Sequence, residues 1–109
     1  MAITYKVLAQ SAPSATTNTD VYTVGSGKQT TISTITVCNR STTAATYRIA
    51  VRPNAATLAN EHYIAYDAPI GPNDSVTWTI GMTVDAADVV TVYASTANLS
   101  VNIFGAEIA

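Results

Sequence analysis

The sequence predicts an all-β chain, an antiparallel β-sandwich of about eight strands wound as a jelly roll or in an immunoglobulin-like order. Thr, Val, Ile and Tyr alternate along nearly its whole length, and a period of two sorts side chains onto the two faces of pleated strands. Clusters of Gly, Pro, Asn and Asp interrupt the alternation at short intervals, and no segment shows a helical period. Hydrophobic residues make up 48% of the chain and charged ones 11%, too apolar a balance for a disordered polypeptide. With 109 residues the chain fits one domain, 1–109, able to bury about 65% of its unfolded surface in one core between two sheets.

The first strand is expected from roughly Ile3 to Ala9. Ser11 to Thr19 is small, polar and aperiodic, which predicts a flexible N-terminal loop or arm near residues 10–20. Val21 to Val24 leads into Gly25-Ser26-Gly27-Lys28, read as a hairpin turn because glycine takes positive φ without a Cβ clash. A long strand then starts near Gln29. Ile32 lies on the opposite parity from Ile35 and Val37, so a bulge or a switch between sheets is expected around Ser33-Thr34.

After Arg40-Ser41-Thr42-Thr43, the residues Tyr47, Ile49 and Val51 line one face of the next strand and Arg48 and Arg52 the other, until Pro53-Asn54 ends it. Ala55 to Asn60 makes a short connection, with room for one helical turn, to a strand that begins at Glu61-His62-Tyr63. Gly71-Pro72-Asn73-Asp74 turns the chain into its cleanest strand, where Val76, Trp78, Ile80 and Met82 alternate with Thr77, Thr79, Gly81 and Thr83. Asp85-Ala86-Ala87-Asp88 turns again into Val89 to Tyr93, and Leu99, Val101 and Ile103 mark the last strand. Strand order does not follow from these patterns.

A net charge of −2 and a pI near 4.9 leave no basic cluster to release counterions from a phosphate backbone, so nucleic acid is not an expected partner. The surface must consist largely of Thr, Ser, Asn and Ala, which lose little on desolvation and suit burial against other subunits. The lone Cys38 forms no intrachain disulfide, consistent with folding in a reducing compartment. The start lacks the basic and apolar regions of a secretion signal, and no apolar run approaches the ~20 residues of a bilayer span. Neither export nor membrane insertion is expected. The Asn-x-Ser/Thr triplets at Asn39, Asn73 and Asn98 are expected by chance in a chain so rich in hydroxyls.

Few residues are suited to chemistry. Gly25 to Thr30 superficially looks like a phosphate loop, but Tyr22 stands where the first Gly is required and Gln29 where Ser or Thr would hold a metal. His62 lies between Glu61 and Tyr63, and strand neighbours point to opposite faces, so Glu61 and His62 would not converge on one atom. With one His and one Cys, no zinc site forms within a subunit; a metal would need one His62 per subunit on a symmetry axis. Asp74, Asp85 and Asp88 match no EF-hand spacing and read as turn caps. Ser26 and the other hydroxyls have no matched base. No enzyme activity, cofactor or metal is expected.

The candidate sites are therefore contact residues. Arg48 and Arg52 share a face, with Arg40 near the preceding strand end, and they are either solvated or paired with acids of an adjacent subunit. His62 and Tyr63 are the other candidate interface residues. Trp78 reads as core. Among Tyr22, Tyr47, Tyr63, Tyr66 and Tyr93 some are expected to anchor an interface, without parity choosing which.

The stretch from Val37-Cys38-Asn39-Arg40-Ser41 through Tyr47-Arg48-Ile49-Ala50-Val51, with Glu61 to Asp67, resembles small virion proteins of tailed bacteriophages, cyanophages included. The close of the chain, Asp88 to Ser95 and Leu99 to Ile108, is similar to the ends of such proteins, so the resemblance covers most residues after about Asp20. It rests on overall pattern and contains no active-site motif. The resemblance implies a β-sandwich that forms a homo-oligomer, often a trimer, assembled in the bacterial cytoplasm and carried on the virion. Capsid decoration, or cement, bound to the major capsid protein is the first expectation. A tail, baseplate or fibre component, acting as an adaptor or a carbohydrate-binding module, is the alternative.

Overall fold

The computed structural model describes residues 2–109. Its strands are β1 (Ile3–Ser11), β2 (Thr19–Thr23), β3 (Gln29–Asn39), β4 (Ala45–Arg52), β5 (Tyr63–Ile70), β6 (Ser75–Asp85), β7 (Val89–Ala94) and β8 (Leu99–Ile108). They form two antiparallel four-stranded sheets, ordered β1-β8-β3-β6 and β2-β7-β4-β5. The pairs β1 with β8, β2 with β7, β3 with β6 and β4 with β5 nest inside one another. The chain is thus one long hairpin doubled at β4–β5, and rolling it up brings β3 against β8 and β4 against β7. That winding is the jelly roll, which decides between the two sandwich topologies the patterns left open.

Residues of one parity fill the space between the sheets. Ile35 and Val37 of β3 and Leu99, Val101 and Ile103 of β8 meet Tyr47 and Ile49 of β4 and Val90 and Val92 of β7, all essentially inaccessible to solvent. Each such side chain contributes roughly 1.5–3 kcal/mol by leaving water. Trp78 packs half-buried on this core and donates its indole N–H to the Tyr47 hydroxyl at 2.8 Å, so neither polar tip is stranded.

Ile32 reaches the same core despite its parity. The ladders from β3 to both neighbours shift between Ile32 and Thr34, so Ser33 is an extra residue that restores Ile32 and Thr30 to the inner face. Opposite the bulge, β8 supplies Gly105. A Cβ there would lie 2.0 Å from the Thr31 carbonyl oxygen and 3.0 Å from the Ile32 Cα, both fixed backbone atoms. β3 bends over β8 at a point where only glycine fits.

Three local readings change. Gly25–Lys28 does make a turn, closed by Lys28 N–H to Gly25 O at 3.2 Å, but β2 and β3 belong to different sheets, so it is a crossing and not a hairpin. The Asp85–Asp88 turn crosses beside it, and the two are tied by Val24 N–H to Asp88 O and Ala87 N–H to Val24 O, each 3.1 Å. Glu61 and His62 lie in a 3-10 turn, Asn60–His62, and β5 begins only at Tyr63. The N-terminal connection is shorter than expected, since Gln10 and Ser11 extend β1 and Thr19 and Asp20 open β2. Between them Thr16 N–H bonds Ala94 O at 2.7 Å, which ties the connection to β7.

At the other end of the sandwich Asn39, 1% exposed, organises the loops. Its amide donates to the carbonyls of Thr43 (2.8 Å) and Gly71 (3.1 Å), and its Oδ1 accepts from the Ser41 N–H (3.0 Å) and hydroxyl (2.9 Å). A buried amide with its hydrogen bonds made is stabilising, whereas an apolar substitute would take the side-chain donor from Gly71 O and the acceptor from the Ser41 N–H.

Candidate interaction surfaces

The outer face of the β2-β7-β4-β5 sheet carries the arginines. Arg48 Nε lies 2.7 Å from Asp67 Oδ1, and its guanidinium is sandwiched between the rings of Tyr66 (4.2 Å) and Tyr93 (4.4 Å). The bond to Asp67 raises the Arg48 pKa above its ordinary value. Two register shifts in the β4–β5 ladder explain the cluster, since the extra residue delivers both Tyr66 and Asp67 beside Arg48, with Asp67 at φ 49°. Tyr63 packs edge-on against Tyr66 at 4.9 Å between centroids.

Arg52, four residues further along the same face of β4, is also paired within the chain. Its Nη2 meets Asp20 Oδ1 at 2.9 Å, its Nε donates to the Thr91 hydroxyl at 3.1 Å, and Nη1 donates to Ala56 O at 3.0 Å. Both arginines therefore have acid partners within the chain. Arg40 stands apart from them, donating to Ala97 O at 3.0 Å in the β7–β8 turn. His62 accepts the Ala59 N–H on Nδ1 at 3.0 Å and so caps its own turn, and Glu61 is exposed beside it. Of the five sequence-derived contact residues, only Arg48 and Tyr63 are brought into one cluster, through Tyr66.

Asp85 and Asp88 cap their turn as expected: Asp88 accepts the Asp85 N–H and the Asn54 N–H, each at 2.8 Å. Asp74 caps its own turn through the Ser75 N–H, and the whole length of β6 separates it from Asp85. Among the described residues no group of three or more His, Cys, Asp and Glu could hold a metal ion. Among the described residues no helix is long and apolar enough to cross a membrane.

A polar knot closes the end of the sandwich near the chain termini. Glu107 accepts Lys6 Nζ at 3.0 Å and the Tyr22 hydroxyl at 2.8 Å, with Lys28 Nζ at 3.8 Å. Since the Tyr22 proton goes to Glu107, Thr30 must donate its own to the Tyr22 oxygen, 2.8 Å away. The Lys6 ammonium, then the Tyr22 hydroxyl, hold the Glu107 carboxyl below its ordinary range against partial burial. Burial pushes the Tyr22 phenol up, and the adjacent carboxylate adds to the rise.

The outer face of the β1-β8-β3-β6 sheet is of another kind. The registers point Lys6 and Glu107 the other way, and Asp85 at the tip of β6 is the one charged residue at an outward position. The remainder is hydroxyl, amide and apolar, and it exposes Tyr5 (82%), Ile3 (51%), Val7 (48%) and Phe104 (36%). A shallow depression of about 350 Å³ opens between Tyr5 and Phe104, lined also by Gly105 and Ala106. Sequence reasoning missed these four residues. Alternation in β1 marks Ile3, Tyr5 and Val7 as sharing a face, but not that this face looks away from the core.

Comparison with protein-family models and with curated proteins finds no match for this chain.

Proposed function

We propose that the chain is a non-enzymatic structural protein of a tailed-phage virion, a decoration or cement protein that self-associates and stabilises the capsid shell through subunit contacts. The observation that carries this reading is the outward face of the β1-β8-β3-β6 sheet, almost without charge and bearing Ile3, Tyr5, Val7 and Phe104 in solvent. A contiguous exposed apolar patch on a small domain marks an interaction surface. A hydroxyl-rich surround adds contact area without the cost of desolvating ions. The resemblance of Val37–Val51, Glu61–Asp67 and the C-terminal strands to phage virion proteins supports the same reading, and jelly rolls recur in viral capsid domains. Three ion pairs join strands: Arg48 with Asp67, Arg52 with Asp20, Lys6 with Glu107.

The test is to locate the protein in purified particles of the virus that encodes it, by mass spectrometry and imaging. Copies on the order of hundreds, spread over the shell lattice, are expected of cement, and on the order of ten at one vertex of a tail part. Absence from the particle would overturn both. A tail-fibre module that binds carbohydrate is the second reading, favoured by Tyr66, a residue 58% exposed next to the exposed Asp67. Sugar binding on a glycan array that is lost in Tyr66→Ala would put it first.

A further inference from the structure

β1 is an edge strand that pairs only with β8. Just before it, Ala2 and Ala109 exchange both backbone bonds, Ala2 N–H to Ala109 O at 2.8 Å and Ala109 N–H to Ala2 O at 2.9 Å. Bonded and non-bonded pairs alternate along an antiparallel ladder. Thr4 and Lys6 therefore turn their backbone groups toward β8, while Ile3, Tyr5 and Val7 turn theirs to the open side.

The other edges are blunted. β2 is five residues long, with a shift between Asp20 and Tyr22. β5 is broken by two shifts and the positive φ of Asp67. In β6 the ladder jumps past Ile80 and Gly81, where Gly81 has φ 59°. β6 keeps an unbroken half, Ser75 to Thr79, but the outward side chains there are the hydroxyls of Ser75, Thr77 and Thr79, whereas β1 from Ile3 to Val7, with its first shift at Leu8, carries the apolar Ile3, Tyr5 and Val7. A lysine often guards such an edge, but the Lys6 ammonium is already engaged by Glu107 at 3.0 Å.

We infer that two copies of this chain pair their β1 strands antiparallel across a twofold axis at Tyr5, joining their four-stranded sheets into one continuous sheet. In this register Ile3 faces the partner's Val7, Tyr5 faces the partner's Tyr5 and Thr4 faces the partner's Lys6. Every outward N–H and C=O between Ile3 and Val7 finds a counterpart, and the three apolar side chains of each copy form one stripe on the outer face. An axis at Lys6 would instead set two ammonium groups against each other, which charge excludes. A twofold gives a dimer, unlike the trimer that the resemblance implies. Five paired residues per strand place it at the weak, small end of protein interfaces. The inference does not rest on the virion reading, because a chain without affinity for any capsid can still pair in this way.

Sedimentation equilibrium of the purified protein, taken up to about 1 mM, is the test. A reversible monomer–dimer equilibrium is expected. Tyr5→Lys and Tyr5→Glu should each weaken it by on the order of tenfold or more, because like charges then face each other across the axis. An equimolar mixture of the two variants should regain a heterodimer, since only a register with Tyr5 against Tyr5 pairs the new charges. Tyr5 is exposed, so circular dichroism should report both variants folded. A monomer throughout, a trimer, a dimer indifferent to Tyr5→Lys, or a mixture no tighter than either variant alone would each overturn the inference.

Discussion

At Gly105 the lack of a side chain decides whether β8 can pass beneath the bulge of β3. The two backbone groups a Cβ would strike, Thr31 C=O and Ile32 Cα, cannot swing aside as a side chain can. Gly105→Ala should destabilise the fold by roughly 2–4 kcal/mol in urea titration, because relief requires moving a central strand. Glu107 makes a prediction of another kind. Its carboxyl pKa is lower folded than unfolded, held down first by Lys6 and then by Tyr22. The stability it contributes is complete above the unfolded value of about 4.3 and is lost as pH falls through the depressed folded value. Glu107→Gln should thus be less stable than the parent at pH 7, with the gap in urea midpoint narrowing steadily toward pH 3. A gap independent of pH would mean that the Glu107 charge does not matter.

Among the elements, β3 shows what a pattern can and cannot say. The parity of Ile32 against Ile35 and Val37 was sufficient to expect an irregularity at Ser33-Thr34, and the ladder shifts there on both sides. Deleting Ser33 should therefore turn Ile32 and Thr30 outward or force the bulge closed. Either way we expect loss of the cooperative unfolding transition, or a drop of several kcal/mol, by thermal denaturation. The bulge in β5 carried no such sign. Tyr66 and Asp67 follow Ala65 without breaking any regular alternation, and the extra residue shows itself only by where Arg48 sits across the ladder. The Gly25–Lys28 turn was legible as a turn, but a turn records the local reversal of the chain and not the sheet its two arms join.

The whole molecule is a sandwich whose strand content could be read from alternation, whereas its winding could not. Within either sheet β4 and β5 are the one pair of neighbours adjacent in the chain, so nearly every ladder closes a long loop. Loop-closure entropy must be met before those ladders stabilise anything, which places refolding in the slow range of milliseconds to seconds. Stopped-flow dilution from urea, followed by Trp78 fluorescence, should show this; a microsecond phase carrying most of the amplitude would contradict it. The exposed apolar face was hidden for a related reason. Which face of an edge strand meets water depends on how far the opposite sheet extends, and that is a property of the assembled layers, not of Ile3, Tyr5 or Val7 in sequence.

The meeting of Ala2 with Ala109 has a practical side for anyone handling this protein. A purification tag or fluorescent fusion joined before Ala2 or after Ala109 starts from the same corner, beside the free rim of β1. It would shield that rim and weaken the pairing proposed for β1. A label inserted in the β7–β8 turn, near Ala97 at the opposite pole, would leave the corner bare.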